Sequence, residues 1–249
     1  MRIPAIRGVI DRRILANYRI APDVVAPILP PPFRPKLHRG YAIGGICLIR
    51  LRSVRPKLLP AWLGIGSENA AHRFAVEWDE GGATREGVYI PRRDTSSWLN
   101  HLAGGRIFPG VHHHAAFTVR ETGTRVEVQA RGDDGATNVG IVADVAGELP
   151  GESIFGSTAE ASAFFERGAL GYSATGQPGR FQGLELKCDG WRVEPLEVRS
   201  VTSSFFGDRA RFPAGSVAFD CALLMRGIDH EWHGKADLCC PAGPLAKCS

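Results

Sequence analysis

Arg85-Glu86-Gly87-Val88-Tyr89-Ile90-Pro91-Arg92-Arg93-Asp94 is the stretch whose reading decides the fold. It reads as a strand that runs into a proline and delivers two arginines to one place. Just upstream, residues 70–78 alternate. Ala70, His72, Phe74, Val76 and Trp78 fall on one face; Ala71, Arg73, Ala75 and Glu77 fall on the other. Asp79-Glu80-Gly81-Gly82-Ala83 between them is a turn, so the two segments form a hairpin.

The charges suggest a register. Pairing Trp78 with Thr84 sets Glu77 across from Arg85 on the outer face, an opposite-charge pair. Glu86, Val88 and Ile90 then share the inner face with Phe74, Val76 and Trp78. Carried outward, the same parity points Glu68, His72 and Arg92 to one side, near the open end of the hairpin. Pro91 can shift that parity and bring in Arg93 instead of Arg92. A carboxylate at Glu86 among apolar groups must be paired or neutral, and a neutral buried acid suits general acid–base work. The candidate catalytic residues are therefore Glu86, His72 and Glu68; the candidate anion-binding residues are Arg92 and Arg93. A structural ion pair for Glu86 and a plain core histidine for His72 are the alternatives.

The rest of the chain has the same texture. Strands are expected at 14–20, 41–52, 111–121, 124–131, 138–145, 171–175, 181–187, 191–201 and 217–226. Gly44-Gly45 marks a bulge or a close backbone approach. Residues 54–66 read as a covering loop. Short helices are expected from Ala21-Pro22-Asp23 to Leu29, over 95–102 with a stop at Gly104-Gly105, and over 159–167. The last follows a capping box at Ser157-Thr158-Ala159-Glu160. The tail from about Ile228 is polar. The fold expected is mainly β (α+β): one domain over residues 1–249, built of curved antiparallel sheets or a closed β barrel with a few short peripheral helices.

Composition narrows the function. The 249 residues carry a net charge of +4 from 25 arginines and 5 lysines, with no basic run of five. That disfavours a nucleic-acid partner. No apolar stretch reaches about 18 residues, so no membrane span is expected. Six cysteines without CxxC spacing, and no signal-peptide core, point to reduced thiols in a cytoplasmic protein.

At Arg85 to Arg93 the sequence resembles the acetoacetate-decarboxylase-like superfamily, whose strand of this form ends in a proline and two lysines. Both lysines are arginines here. Nearly the whole chain is similar to the YqjF-like branch, a domain of unknown function. The matching pieces include Asp11-Arg12-Arg13, Gly45-Ile46-Cys47-Leu48-Ile49-Arg50, Ser67-Glu68-Asn69-Ala70-Ala71-His72, Pro91-Arg92-Arg93-Asp94-Thr95-Ser96-Ser97, Gly171-Tyr172-Ser173-Ala174 and Asp229-His230-Glu231-Trp232-His233. The resemblance implies a small-molecule pocket lined by an N-terminal arginine, Arg12 or Arg13, and an acidic residue, Glu68. It also implies that oligomers are common. Arginine cannot serve as a Schiff-base nucleophile, because its delocalised cation stays protonated. It can grip a carboxylate or enolate.

The expected ligand is thus a small anionic oxo-acid or carbonyl compound, handled by arginine and acid–base chemistry with no cofactor. A binding protein without turnover is the alternative. A metal-dependent protein using His112-His113-His114, or His230 and His233 with Cys239-Cys240, is the third reading; none of these spacings matches a standard zinc site.

Overall fold

The computed structural model describes residues 5–103, 109–188 and 190–240. The expected helix stop at Gly104-Gly105, Lys247 and Cys248 lie outside the described residues. In chain order the elements are β1 (Ile6–Ile20), α1 (Pro22–Val25), β2 (Arg34–Pro35), β3 (Leu37–His38), β4 (Tyr41–Pro56), β5 (Ile65–Glu80), β6 (Ala83–Thr95), α2 (Trp98–Ala103), β7 (His112–Thr122), β8 (Arg125–Gly132) and β9 (Asn138–Val145). Then come α3 (Thr158–Arg167), β10 (Leu170–Ala174), β11 (Arg180–Cys188), β12 (Glu194–Ser203), β13 (Val217–Gly234) and β14 (Leu238–Cys239). The protein is mainly β with few short helices, as the alternation and the frequent glycine turns require.

The strands form one curved sheet, and its pairings close two circuits. The larger runs β6-β7-β8-β9-β12-β13-β1-β4-β5 and back to β6. The smaller runs β1-β4-β5-β6-β10-β11-β13 and back to β1. Five strands, β13, β1, β4, β5 and β6, are common to both. Their two faces therefore look into two different interiors. This explains why β4 has no polar face over Ala42 to Leu48: it is buried on both sides.

The larger interior is a filled core. Ile14, Ile46, Phe74, Trp78, Val128, Ile141 and Leu224 meet there, with Phe206 and Phe212 closing over them. The smaller interior holds two further clusters. One packs Phe164 and Phe165 of α3 against Leu15 and Cys47; the other joins Ile10, Leu51, Val54 and Met225. The capping signal ahead of α3 is realised: Ser157 Oγ accepts from the Glu160 amide at 3.1 Å, and Glu160 Oε2 accepts from the Gly156 amide.

Several expectations need correction. The sheet is mixed, since β6 runs parallel to both β7 and β10. The loop expected over 54–66 is shorter, because β4 runs to Pro56 and β5 starts at Ile65; residues 57–64 connect them, with Leu58 and Trp62 exposed rather than covering the core. The supposed polar tail begins inside β13, which continues to Gly234 and buries His230. Pro91 does not end its strand. A bulge between His72 and Phe74 absorbs it and β6 runs on to Thr95. The glycine pair was legible: a Cβ on Gly45 would stand 2.6 Å from the Ala16 carbonyl oxygen, a close backbone approach.

Candidate functional site

The hairpin register differs from the charge-based expectation by one residue. Trp78 faces Arg85, not Thr84, and Glu77 faces Glu86. A one-residue slip exchanges the faces of a strand. Gly87 and Tyr89 thus share the larger interior with Val76 and Phe74, and Glu86, Val88 and Ile90 turn to the opposite face. Glu86 is not an inward acid: it forms ion pairs with Lys36 and Arg167. Glu77 takes Arg34 as its partner at 2.9 Å. The expected charge pairing lost because each carboxylate finds its cation on another element.

Beyond the bulge the parity changes again. Arg92 lies directly across from His72, and Arg93 lies across from Ala71. Arg92 belongs to the larger interior, where Asp94 (2.7 Å) and Asp134 (2.9 Å) engage it. Its Nε and Nη2 are taken up by these two carboxylates. His72 is 1 % exposed and packs against Phe205, with ring centroids 4.8 Å apart. Burial, with help from Arg92 and Arg211, pushes its pKa down to about 4, so the ring is neutral. Neither ring nitrogen has a hydrogen-bond partner among the described residues.

Arg12 and Glu68 do come together. Arg12 is fully buried and contacts Glu68 at 2.5 Å and Glu121 at 2.7 Å. Arg50 bridges the same two carboxylates. This is a closed ion-pair network on the larger-interior side. Arg13, one residue on, faces the opposite way.

Arg13 and Arg93 lead to a cavity of ≈ 140 Å³ in the smaller interior. Each of the seven strands of that circuit supplies lining residues, including Arg13, Cys47, Arg73, Arg93, Gly171, Leu184 and Trp232. A row of paired residues crosses its wall: Leu15, Cys47, Ala71, Arg93 and His112, on β1, β4, β5, β6 and β7. Ala71 is the small member, and leaves a gap between Cys47 and Arg93. Neighbouring strands lie about 4.8 Å apart, so that gap is roughly one small molecule wide.

Three guanidinium groups gather around Cys47. Arg13 Nε donates to Cys47 Sγ at 3.3 Å, and its guanidinium lies 5.5 Å from the Trp191 ring centre. Arg73 Nη2 donates to Asn17 Oδ1 at 2.6 Å and its guanidinium stands over Phe165. Arg93 Nε donates to Ser173 Oγ at 2.9 Å. Among the described residues no carboxylate forms an ion pair with any of the three. Burial draws the pKa of Arg73 and of Arg93 down to about 10, which leaves both cationic at neutral pH. Buried charges are usually paired. Among the described residues the partners of these three cations are neutral, Cys47, Asn17 and Ser173, and the cavity they line fits an anion.

His112 completes the row. Burial and then Arg93 lower its pKa to about 3, so it too is neutral. The other two histidines of its run go elsewhere: His113 reaches Asp134 and His114 bonds Asp133 at 2.7 Å while stacking on Trp98. The run therefore does not act as a unit, and among the described residues no group of three His, Cys, Asp or Glu is arranged to hold a metal. His230 packs on Trp232, and His233 bonds Glu231. Cys47, Cys221 and Cys240 are thiols, but Cys239 is disulfide-bonded, contrary to the expectation of six reduced thiols. No lysine lines the cavity among the described residues.

Cys47 and Arg73 were absent from the sequence candidates. Arg73 read as an outer-face residue, because alternation assigns a face but cannot say that the second face is also enclosed. The available signal was β4, apolar on both faces.

No helix among the described residues is long and apolar enough to cross a membrane. No curated protein matches the chain. Solved structures share its fold at low identity. Acetoacetate decarboxylase from Legionella pneumophila subsp. pneumophila str. Philadelphia 1 is 11% identical, with a TM-score of 0.57, covering 93% of this chain and 87% of that one. An acetoacetate decarboxylase-like enzyme from Sphingomonas wittichii RW1 is 9% identical, with a TM-score of 0.55, covering 96% and 93%. The enduracididine biosynthesis enzyme MppR complexed with pyruvate is 12% identical, with a TM-score of 0.55, covering 93% and 88%. The acetoacetate-decarboxylase-like fold is thus shared, and since the model of the DUF2071 family, uncharacterized conserved protein, matches residues 10–226, the chain belongs to that family.

Proposed function

We propose that this protein binds a small anionic oxo-acid in the cavity beside Arg93 and acts on it without a Schiff-base lysine. One observation carries this reading: Arg13, Arg73 and Arg93 line a cavity and have no ion-paired carboxylate among the described residues. Arg93 holds the substrate carboxylate with its planar fork of donors. The neighbouring cations stabilise negative charge that develops on the carbonyl oxygen when a proton leaves the adjacent carbon. His112, neutral and one strand away in the same row, is the nearest ring nitrogen base. The structure of MppR complexed with pyruvate supports an oxo-acid as the ligand type on this fold.

The test is proton exchange. The protein is incubated with a 2-oxo acid in deuterated water, and the hydrogens next to the carbonyl are followed by NMR. Exchange faster than in buffer, and lost in Arg93→Met, supports catalysis.

A second reading, binding without turnover, is favoured because no lysine lines the cavity among the described residues. In that case oxo-acids raise the melting temperature but their exchange stays at the buffer rate. If no oxo-acid shifts the melting temperature, both readings fall.

A further inference from the structure

The cavity has two unlike ends. At one, Arg13, Arg73 and Arg93 surround Cys47. From there β4 and β5 run side by side through the pairs Leu51–Ser67 and Val54–Ile65. That second region is apolar. Leu51, Val54, Ile65, Leu186 and Trp232 belong to one hydrophobic cluster and all line the cavity.

We infer that the ligand is a short 2-oxo monocarboxylic acid with an aliphatic tail of two to four carbons, its charge at one end only. This rests on the anion-binding reading above and names the substrate class. The carboxylate meets Arg93, and the 2-oxo oxygen faces the remaining cations, so one head group answers more than one guanidinium. The tail lies against Leu51, Ile65 and Trp232. The volume sets the scale. A cavity of about 150 Å³ holds a benzene-sized molecule, and pyruvate, with as many non-hydrogen atoms as benzene, matches ≈ 140 Å³. Further tail carbons run along the apolar wall of Leu51, Val54 and Ile65. A second carboxylate at the far end would be stripped of water with no cation to meet it.

The experiment is isothermal titration of the full chain with pyruvate, 2-oxobutanoate, 2-oxopentanoate, 4-methyl-2-oxopentanoate, 2-oxooctanoate and 2-oxoglutarate. Affinity is expected to rise roughly three- to fourfold per added CH₂ up to five or six carbons. It then drops at 2-oxooctanoate, which is too long. 2-Oxoglutarate binds at least about tenfold more weakly than 2-oxopentanoate. An affinity that stays flat with chain length, or 2-oxoglutarate binding as tightly as 2-oxopentanoate, overturns the tail assignment while leaving an anion site intact. Binding of none of the acids overturns the anion-binding reading itself, and this proposal with it. Alkylation of Cys47, followed peptide by peptide by mass spectrometry, places the ligand. Protection by 2-oxopentanoate is expected, and unchanged labelling under saturating ligand overturns the location.

Discussion

Cys47 and Arg93 stand in one row on either side of Ala71, across β4, β5 and β6. The short Ala71 side chain beside the long Arg93 leaves the gap that lines the cavity. Around that gap the protein buries cationic groups with no ion-paired carboxylate among the described residues. Elsewhere it pairs them closely, as Arg12 with Glu68 and Glu121 and Arg92 with Asp94 and Asp134. The contrast separates ion-paired structural charges from the cavity arginines that we propose meet a ligand.

Filling the gap should close the site without touching a charge. Ala71→Leu puts a branched side chain between Cys47 and Arg93, at an overpacking cost of about 1–3 kcal/mol. Binding of 2-oxopentanoate, measured by titration calorimetry, should fall by at least about tenfold while circular dichroism shows the fold retained.

Removing the central cation should trade function for stability. Arg93 is desolvated and has no carboxylate partner among the described residues, so its burial costs free energy. Arg93→Met keeps most of the volume and discards the charge. Anion binding should be lost, and the unfolding free energy in urea should rise by about 1 kcal/mol or more. A loss of both stability and binding would count against an uncompensated charge at this position.

Acid should destabilise the protein through its buried neutral histidines. His72 has a pKa of about 4 in the fold, against an ordinary 6.5. The unfolded chain therefore takes up the proton first as pH falls. The stabilising contribution of the neutral ring is complete above pH 6.5 and disappears as pH falls from 6.5 towards 4, by about 3 kcal/mol. His230, also held near 4 by burial, adds to the same window. His72→Leu should flatten the decline in urea stability between pH 6.5 and 4. An unchanged slope would place the acid sensitivity elsewhere.

Breaking the structural network should hurt stability but spare the cavity. Glu68→Ala leaves fully buried Arg12 with Glu121 as its one remaining ion-pair partner among the described residues and costs about 3 kcal/mol. Affinity for an oxo-acid should stay within about twofold of the parent, since Glu68 faces the larger interior.

What the sequence determined by itself was local: strands, turns, the capped helix α3, the tight approach at Gly45 and the family's motif at Arg85 to Arg93. Those follow from period-two alternation, turn residues and short-range side-chain chemistry. It also brought both arginines to the end of β6, without choosing between them. The choice belonged to the tertiary structure. A bulge beside Pro91 and a one-residue shift at Trp78 sent Glu86 outward, Arg92 to its aspartates and Arg93 to the cavity. Register is set by what each face can bury against partners far along the chain. Here β10, β11 and β13 enclose the second face, and only that long-range closure turns Cys47, Arg73 and Arg93 from the backs of strands into the lining of one site.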